Sequence, residues 1–185
     1  RSGGMTLRGV GSPYCVEPGT VRKDDGNPYA VFTPFSKIWL SNGWSAPLSQ
    51  PQVVWHGAPA VVSDDLPAEP ECGATLPAAG EHAAWKVWES FRDAALNGYA
   101  ETRNNPDING TSQLSPYLRF GLVHPRSLLA ELGDSKSHSV FRSELCWREF
   151  YADVLFHQPR TVWENLQPKM NKMTHDTGAD AVARF

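Results

Sequence analysis

Cysteine is scarce in this chain. Cys15, Cys72 and Cys146 are odd in number and far apart, which excludes a disulfide framework and a close-spaced thiolate metal site, so reduced thiols are expected. Long apolar runs are missing as well, and no stretch is suited to crossing a bilayer, so no membrane partner is expected. Lysine and arginine are absent from residues 43–80, where Asp64, Asp65, Glu69 and Glu71 give a local net charge of −4. Against −3 for the whole chain, the remainder stands at +1. That is no histone-like tail, but it leaves room for a local basic patch. There is no signal-peptide pattern and no internal repeat. The chain begins at Arg1, gives Met5 no recognisable start context, and ends at Phe185 without a helix-stopping signal. It is expected to be an internal piece of a longer, cytoplasmic protein.

What the chain has is aromatic weight and three compositional zones. Seven tryptophans in 185 residues point to large aromatic cores or stacking surfaces. Residues 1–43 contain two short extended runs, Val21–Lys23 and Tyr29–Phe32, around the turn-rich Asp24–Pro28. Thr33 and Pro34 then predict a capped helix with Phe35, Ile38 and Trp39 on one side, ending at Asn42–Gly43. Residues 44–80 hold six prolines and four acids, the composition of a linker lying over a surface, with Trp44, Trp55 and Val53–Val54 as its anchors. Within it, His56 has no second candidate ligand nearby. From residue 81 the pattern turns helical.

Trp85, Trp88, Phe91, Ala95 and Tyr99 recur every three or four residues, predicting one long helix to about Arg103, stopped by Asn104-Asn105-Pro106. Core packing is the plain reading of Trp85 and Trp88. Gly110 to Gly121 follows as Gly-Thr-Ser-Gln-Leu-Ser-Pro-Tyr-Leu-Arg-Phe-Gly. Ser115 and Pro116 predict a helix start, and Thr111, Ser112 and Ser115 set three hydroxyls where backbone N–H groups favour an anion. An ordinary capped turn is the simpler reading of these residues alone. His124-Pro125 opens a helix carrying Leu128, Leu129 and Leu132, with His124 beside its N-cap rather than acting as a base. Ser139 is the expected cap of a helix running to about Gln158. On it, Glu144, Trp147, Arg148 and Tyr151 stand at i, i+3, i+4 and i+7, sharing one face. Such a face needs polar partners, and a structural ion-pair network accounts for it as well as a binding surface does. A further helix is expected near Ala179.

Tyr99 with Arg103, the Thr111–Ser115 turn and Glu144-Leu-Cys-Trp-Arg-Glu-Phe-Tyr151, in this order, resemble the DNA photolyase/cryptochrome family, most closely its class I cyclobutane pyrimidine dimer photolyases. The resemblance implies a mainly α fold: the N-terminal part of a helical FAD-binding domain over 81–185, preceded by the end of an α/β antenna domain over 1–43 and an interdomain linker over 44–80. It implies reduced FAD as cofactor, with Tyr99, Thr111, Ser112, Gln113, Leu114, Ser115 and Phe141 as contacts. Phe141 stands where many members carry tryptophan. A second antenna chromophore of folate or deazaflavin type is implied for the parent, its site lying outside this chain. The implied partner is UV-damaged DNA, met by Arg103 and by Glu144, Leu145, Cys146, Trp147, Arg148, Glu149, Phe150 and Tyr151. In the implied light-driven repair Trp147 stacks on a flipped-out dimer and Glu144 hydrogen-bonds a pyrimidine edge. The parent is expected to be a monomer, and this chain alone inactive, since later family segments supply the rest of the flavin pocket.

Cryptochrome photoreceptors and 6-4 photolyases are the rivals within the family. Glu144 favours dimer repair, because 6-4 enzymes tend to carry glutamine at the matching place. A helical DNA-binding module over 115–133 is the rival from another class. Its second helix presents an apolar outer face with Arg126 nearly alone, unlike a recognition helix.

Overall fold

The computed structural model describes residues 6, 11–49, 52–54, 57, 64–65, 67–68 and 72–174. The chain divides into two compact units. One comprises Arg1–Cys15 and Trp44–Arg142, the other Val16–Gly43 and Ser143–Phe185. The expected mainly helical class is what is found: the regular elements among the described residues are helices, and the extended structure is one isolated antiparallel bridge, Arg22 to Pro28.

In the first unit, α2 (Glu81–Ala94) buries Ala84, Trp88 and Phe91, at i, i+4 and i+7. Trp88 is fully buried, and its indole N–H donates to Glu131 at 2.9 Å. The same carboxylate accepts from Arg92 at 2.7 Å. Asp93 and Glu131 hold the Arg92 guanidinium above its ordinary pKa, and the pair with Arg92 draws the Asp93 carboxyl down.

The long helix expected to reach Arg103 does not continue. It stops at Ala95 (φ −126°), passes through a 3-10 turn over Leu96–Gly98, and resumes as α3 (Tyr99–Thr102). Asn97-Gly98, a poor pair for a helix interior, marks the break in the sequence. Ser137 secures it from outside. Its hydroxyl donates to Asn97 O at 2.8 Å and accepts from Ala100 N–H at 3.1 Å.

Two short helices follow, α4 (Ser115–Arg119) and α5 (Pro125–Ala130). His124 is the N-cap of α5, its Nδ1 accepting from Arg126 N–H at 3.1 Å. Its other nitrogen lies 2.9 Å from Ser12 O, which makes Nε2 the protonated one.

The longest helix, α6, covers Lys136–His157, its first residues in the first unit and the rest in the second. It starts three residues before the expected cap at Ser139. Ser135 does the capping, accepting from His138 N–H at 3.2 Å. The helix ends before Pro159, as expected. Two 3-10 turns follow, Pro159–Val162 and Pro168–Lys172. The helix expected near Ala179 lies outside the described residues.

The described part of residues 44–80 has no helix or strand. Val53 and Val54 are exposed, so they anchor nothing; Trp55 and His56 lie outside the described residues. At the far end of the stretch the Tyr117 hydroxyl donates to Ala78 O at 2.9 Å, and Trp44, another expected anchor, is half-buried.

In the second unit, α1 (Phe32–Asn42) begins one residue before Thr33, with Val31 at its N-cap and no side-chain cap. Phe32 is therefore helical rather than the end of an extended run. Gly43 closes the helix at φ 61°. Phe35 and Trp39 are fully buried. Gly19 sits at φ 88°, a backbone conformation that favours glycine, and a Cβ there would have to push the exposed Phe156 ring aside. Its N–H donates to the buried Asp153 carboxylate at 2.7 Å.

Candidate functional sites

The hydroxyl-rich turn lies between Gly110 and α4 in the first unit. Gly110 is needed for close approach: a Cβ there would lie 2.9 Å from Thr102 Oγ1. Gln113 holds φ 54°, unusual for a residue other than glycine, and sets up the entry to α4. Ser115 is the first helical residue rather than the cap. Leu114 occupies the cap position with no side-chain capping bond, while Ser112 Oγ accepts from Leu114 N–H at 3.4 Å. Thr111 Oγ1 accepts from the Gln113 amide at 2.7 Å. Leu114 itself is buried.

Thr111, Ser112 and Gln113 line a cleft of about 330 Å³ with Lys86, Ser90 and Asn109. Lys86, from α2, was not a candidate on sequence; between Trp85 and Val87 it reads as an ordinary outward-facing lysine. One ammonium beside hydroxyl and amide groups is suited to a phosphate.

Tyr99 and Phe141 meet in the same unit. Their rings lie 5.5 Å apart at 83°, and Phe91 and Trp88 close on Phe141 at 5.2 and 5.6 Å. Tyr99 is 7% exposed and Phe141 3%. The cleft sets its polar groups beside an apolar lining of Val87, Phe91, Ala94 and Ala95, while the Tyr99 and Phe141 rings are packed on each other. The Arg103 guanidinium lies 5.8 Å from the Tyr99 ring centre, in cation–π range. Nearby in sequence, Glu101 is paired with Lys136 at 2.9 Å, which lowers its pKa.

The second candidate site is on α6 in the second unit, where the segment Glu144–Tyr151 divides by burial. Leu145, Cys146, Glu149 and Phe150 are buried. Desolvation, then the nearby Glu149 carboxylate, push the Cys146 thiol up to about 12. Glu149 accepts from Trp39 Nε1–H at 2.6 Å and from Val16 N–H at 3.1 Å. These four side chains serve packing within the unit. Glu144, Trp147 and Arg148 are half-buried and Tyr151 is exposed: the four residues expected on one face are the four least buried of the segment.

Trp147 is framed by aromatics. Phe32 stacks flat on it, ring centres 3.6 Å apart and planes within 7°. Phe150 meets its edge at 5.7 Å and 80°, and Tyr151 lies 5.6 Å away, tilted 25°. No sequence signal pointed to Phe32, which is 115 positions away. Among the described residues no cluster of three or more histidine, cysteine or acidic side chains could hold a metal. No helix there is long and apolar enough to cross a membrane.

No protein-family model matches the chain. Curated relatives do. It is 36% identical over 158 residues to a deoxyribodipyrimidine photo-lyase of Alkalihalophilus pseudofirmus, covering 79% of this chain and 33% of the relative. It is 32% identical over 170 residues to one of Halobacterium salinarum, covering 81% and 35%. A similar solved structure is a bacterial class III photolyase from Agrobacterium tumefaciens, at TM-score 0.67 and 28% identity, covering 89% of this chain and 37% of that one. The chain belongs to the DNA photolyase family. It spans about a third of the length of these relatives. The solved neighbour is of class III, whereas the sequence segments resemble class I most closely.

Proposed function

We propose that the intact protein repairs cyclobutane pyrimidine dimers in UV-damaged DNA, using light and reduced FAD. The observation that carries this reading is Trp147, held half-buried on α6 with Glu144, Arg148 and Tyr151 around it on the less buried side. An extruded base offers a π-face and a hydrogen-bonding edge; an indole and a carboxylate are the matching pair. Photolyase kinship supports it.

When bound, reduced FAD supplies on illumination the electron that opens the cyclobutane ring and receives it back, with no net redox change. This chain's residues do the rest of their part by binding and placement. Thr111, Ser112, Gln113 and Lys86 hold phosphate oxygens. Tyr99 and Phe141 back Phe91, which lines the cleft, with Leu114 and Ser115 fixing the turn. Trp147 stacks on the lesion, Glu144 accepts from a pyrimidine N–H, and Arg103 meets a DNA phosphate. Residues 1–43, 44–80 and 81–185 are, on this reading, the end of an antenna domain, a linker and the start of the FAD-binding domain.

Binding of the intact protein to dimer-containing and undamaged duplexes tests the reading. W147A is expected to lose about fivefold or more on the damaged duplex, since base–aromatic stacking contributes about 1–3 kcal/mol, with little change on the undamaged one. Equal losses on both would remove lesion stacking, and absence of dimer repair under blue light would remove the activity.

A further inference from the structure

An indole on a solvent-facing helix turn has rotamer freedom, and a stacking platform works only if its plane is fixed before the base arrives. Trp147 does not get that fixing from its own helix alone. Phe32, from the first turn of α1, lies parallel to it at 3.6 Å and 7°. Phe32 is itself gripped from the side by Phe150, at 5.9 Å and 76°, and Phe150 in turn packs edge-on against the fully buried Phe35 at 5.2 Å and 64°. The chain of contacts therefore runs from the unit's core to the half-buried indole. It also commits one face of Trp147 to the protein. Tyr151, the other ring lying near-parallel to it, stands further off at 5.6 Å and is 61% exposed, so its side chain can turn aside on the timescale of surface rotamers.

We propose that Phe32 is a positioning residue for Trp147: it covers one face of the indole, fixes its plane, and leaves the opposite face as the one a flipped pyrimidine dimer stacks on. The proposal rests on the lesion-stacking reading of Trp147. Phe32 touches neither lesion nor cofactor. Its effect is on discrimination between damaged and undamaged DNA, because only the flipped lesion uses the platform.

The test is made in the intact protein with F32L, F32Y, W147A and the double variant F32L/W147A, titrated with dimer-containing and undamaged duplexes. Leucine keeps an apolar side chain of similar reach and removes the flat π-face, so F32L is expected to keep the wild-type unfolding temperature within a few degrees. Its preference for damaged DNA should fall about three- to tenfold, the scale of an aromatic pair. F32Y should retain the preference, and the double variant should lose no more than W147A does alone. Wild-type discrimination in F32L, alongside a clear loss in W147A, overturns the positioning role and leaves lesion stacking standing. Additive losses in the double variant overturn it too. Unchanged discrimination in W147A removes the stacking reading itself, and the role of Phe32 with it.

Discussion

The indole N–H of Trp39 donates to the Glu149 carboxylate at 2.6 Å, across 110 positions of sequence and with both groups buried. Val16 N–H shares the same carboxylate at 3.1 Å. One acid thus joins the loop before α1, α1 itself and the second half of α6. A buried carboxylate costs free energy unless it is hydrogen-bonded, and here two donors meet it.

Removing it is expected to destabilise strongly. E149A removes the acceptor of a buried indole N–H and of a half-buried backbone N–H, and a loss of about 2–4 kcal/mol is expected in denaturant titration of the intact protein. W39F leaves the charge with one donor fewer and should cost about 1–3 kcal/mol. A loss under 0.5 kcal/mol for E149A would show that water takes over from the carboxylate as acceptor for both N–H groups.

Cys146 carries a pH dependence of definite sign. Its thiol is pushed from 9.0 up to about 12 in the folded state. An acid with a raised folded pKa holds its proton while the unfolded chain loses it, so the folded state loses stability as pH rises from 9 toward 12. C146A removes this contribution, and the stability difference between wild type and variant should shift in the variant's favour across that window. A constant difference between pH 8 and 11 would contradict it. The buried Cys15 and Cys146 should also resist alkylation at neutral pH while the exposed Cys72 reacts.

How much of this was legible beforehand depended on whether the determinant was local. The ends of α1 at Gly43 and of α6 before Pro159, and the start of α5 at Pro125, are written in single residues that act on their own backbone. The break at Ala95–Gly98 was also written there, in Asn97-Gly98, but the aromatic period running from Trp85 to Tyr99 masked it. The start of α6 at Lys136, ahead of Ser139, is not marked locally; Ser137 bonds to Asn97 and Ala100, partners about 40 residues away. The shared face of Glu144, Trp147, Arg148 and Tyr151 followed from helical spacing alone. Phe32 on Trp147 and Lys86 lining the same cleft as Thr111 could not, since nothing local marks a neighbour brought up by folding.

Arg103 gives a test on the DNA side. R103A is expected to weaken binding of the intact protein to damaged and undamaged duplexes alike, and to reduce the slope of log affinity against log salt by about 1, as loss of one phosphate contact does. Its guanidinium also lies near the Tyr99 ring, so R103K separates the roles. Lysine restores most of the salt slope if the phosphate contact is what matters. An unchanged slope in R103A would assign Arg103 to packing against Tyr99.

Flavin retention tests how complete the cofactor site is in these 185 residues. The cleft beside Thr111–Gln113 offers about 330 Å³ between polar and apolar side chains, and one ammonium with hydroxyl and amide donors can hold a phosphate. Apolar burial of the ring system is another matter. Tyr99 and Phe141, the aromatics expected to support it, are almost fully covered by each other and by Phe91 and Trp88. A ring left in water forgoes roughly 25 cal/mol for every Å² of apolar surface not buried. The relatives are about three times as long as the stretch matched here, which leaves ample chain to build the missing wall. The 185-residue chain expressed alone is therefore expected to lose flavin on gel filtration after incubation with excess FAD, with no visible flavin band left on the protein. In the intact protein, K86Q should weaken FAD binding several-fold and leave riboflavin, which has no phosphate, unaffected. Stoichiometric flavin on the isolated chain, with cooperative thermal unfolding, would place the dominant binding energy in the hydroxyl-rich turn and its neighbours instead.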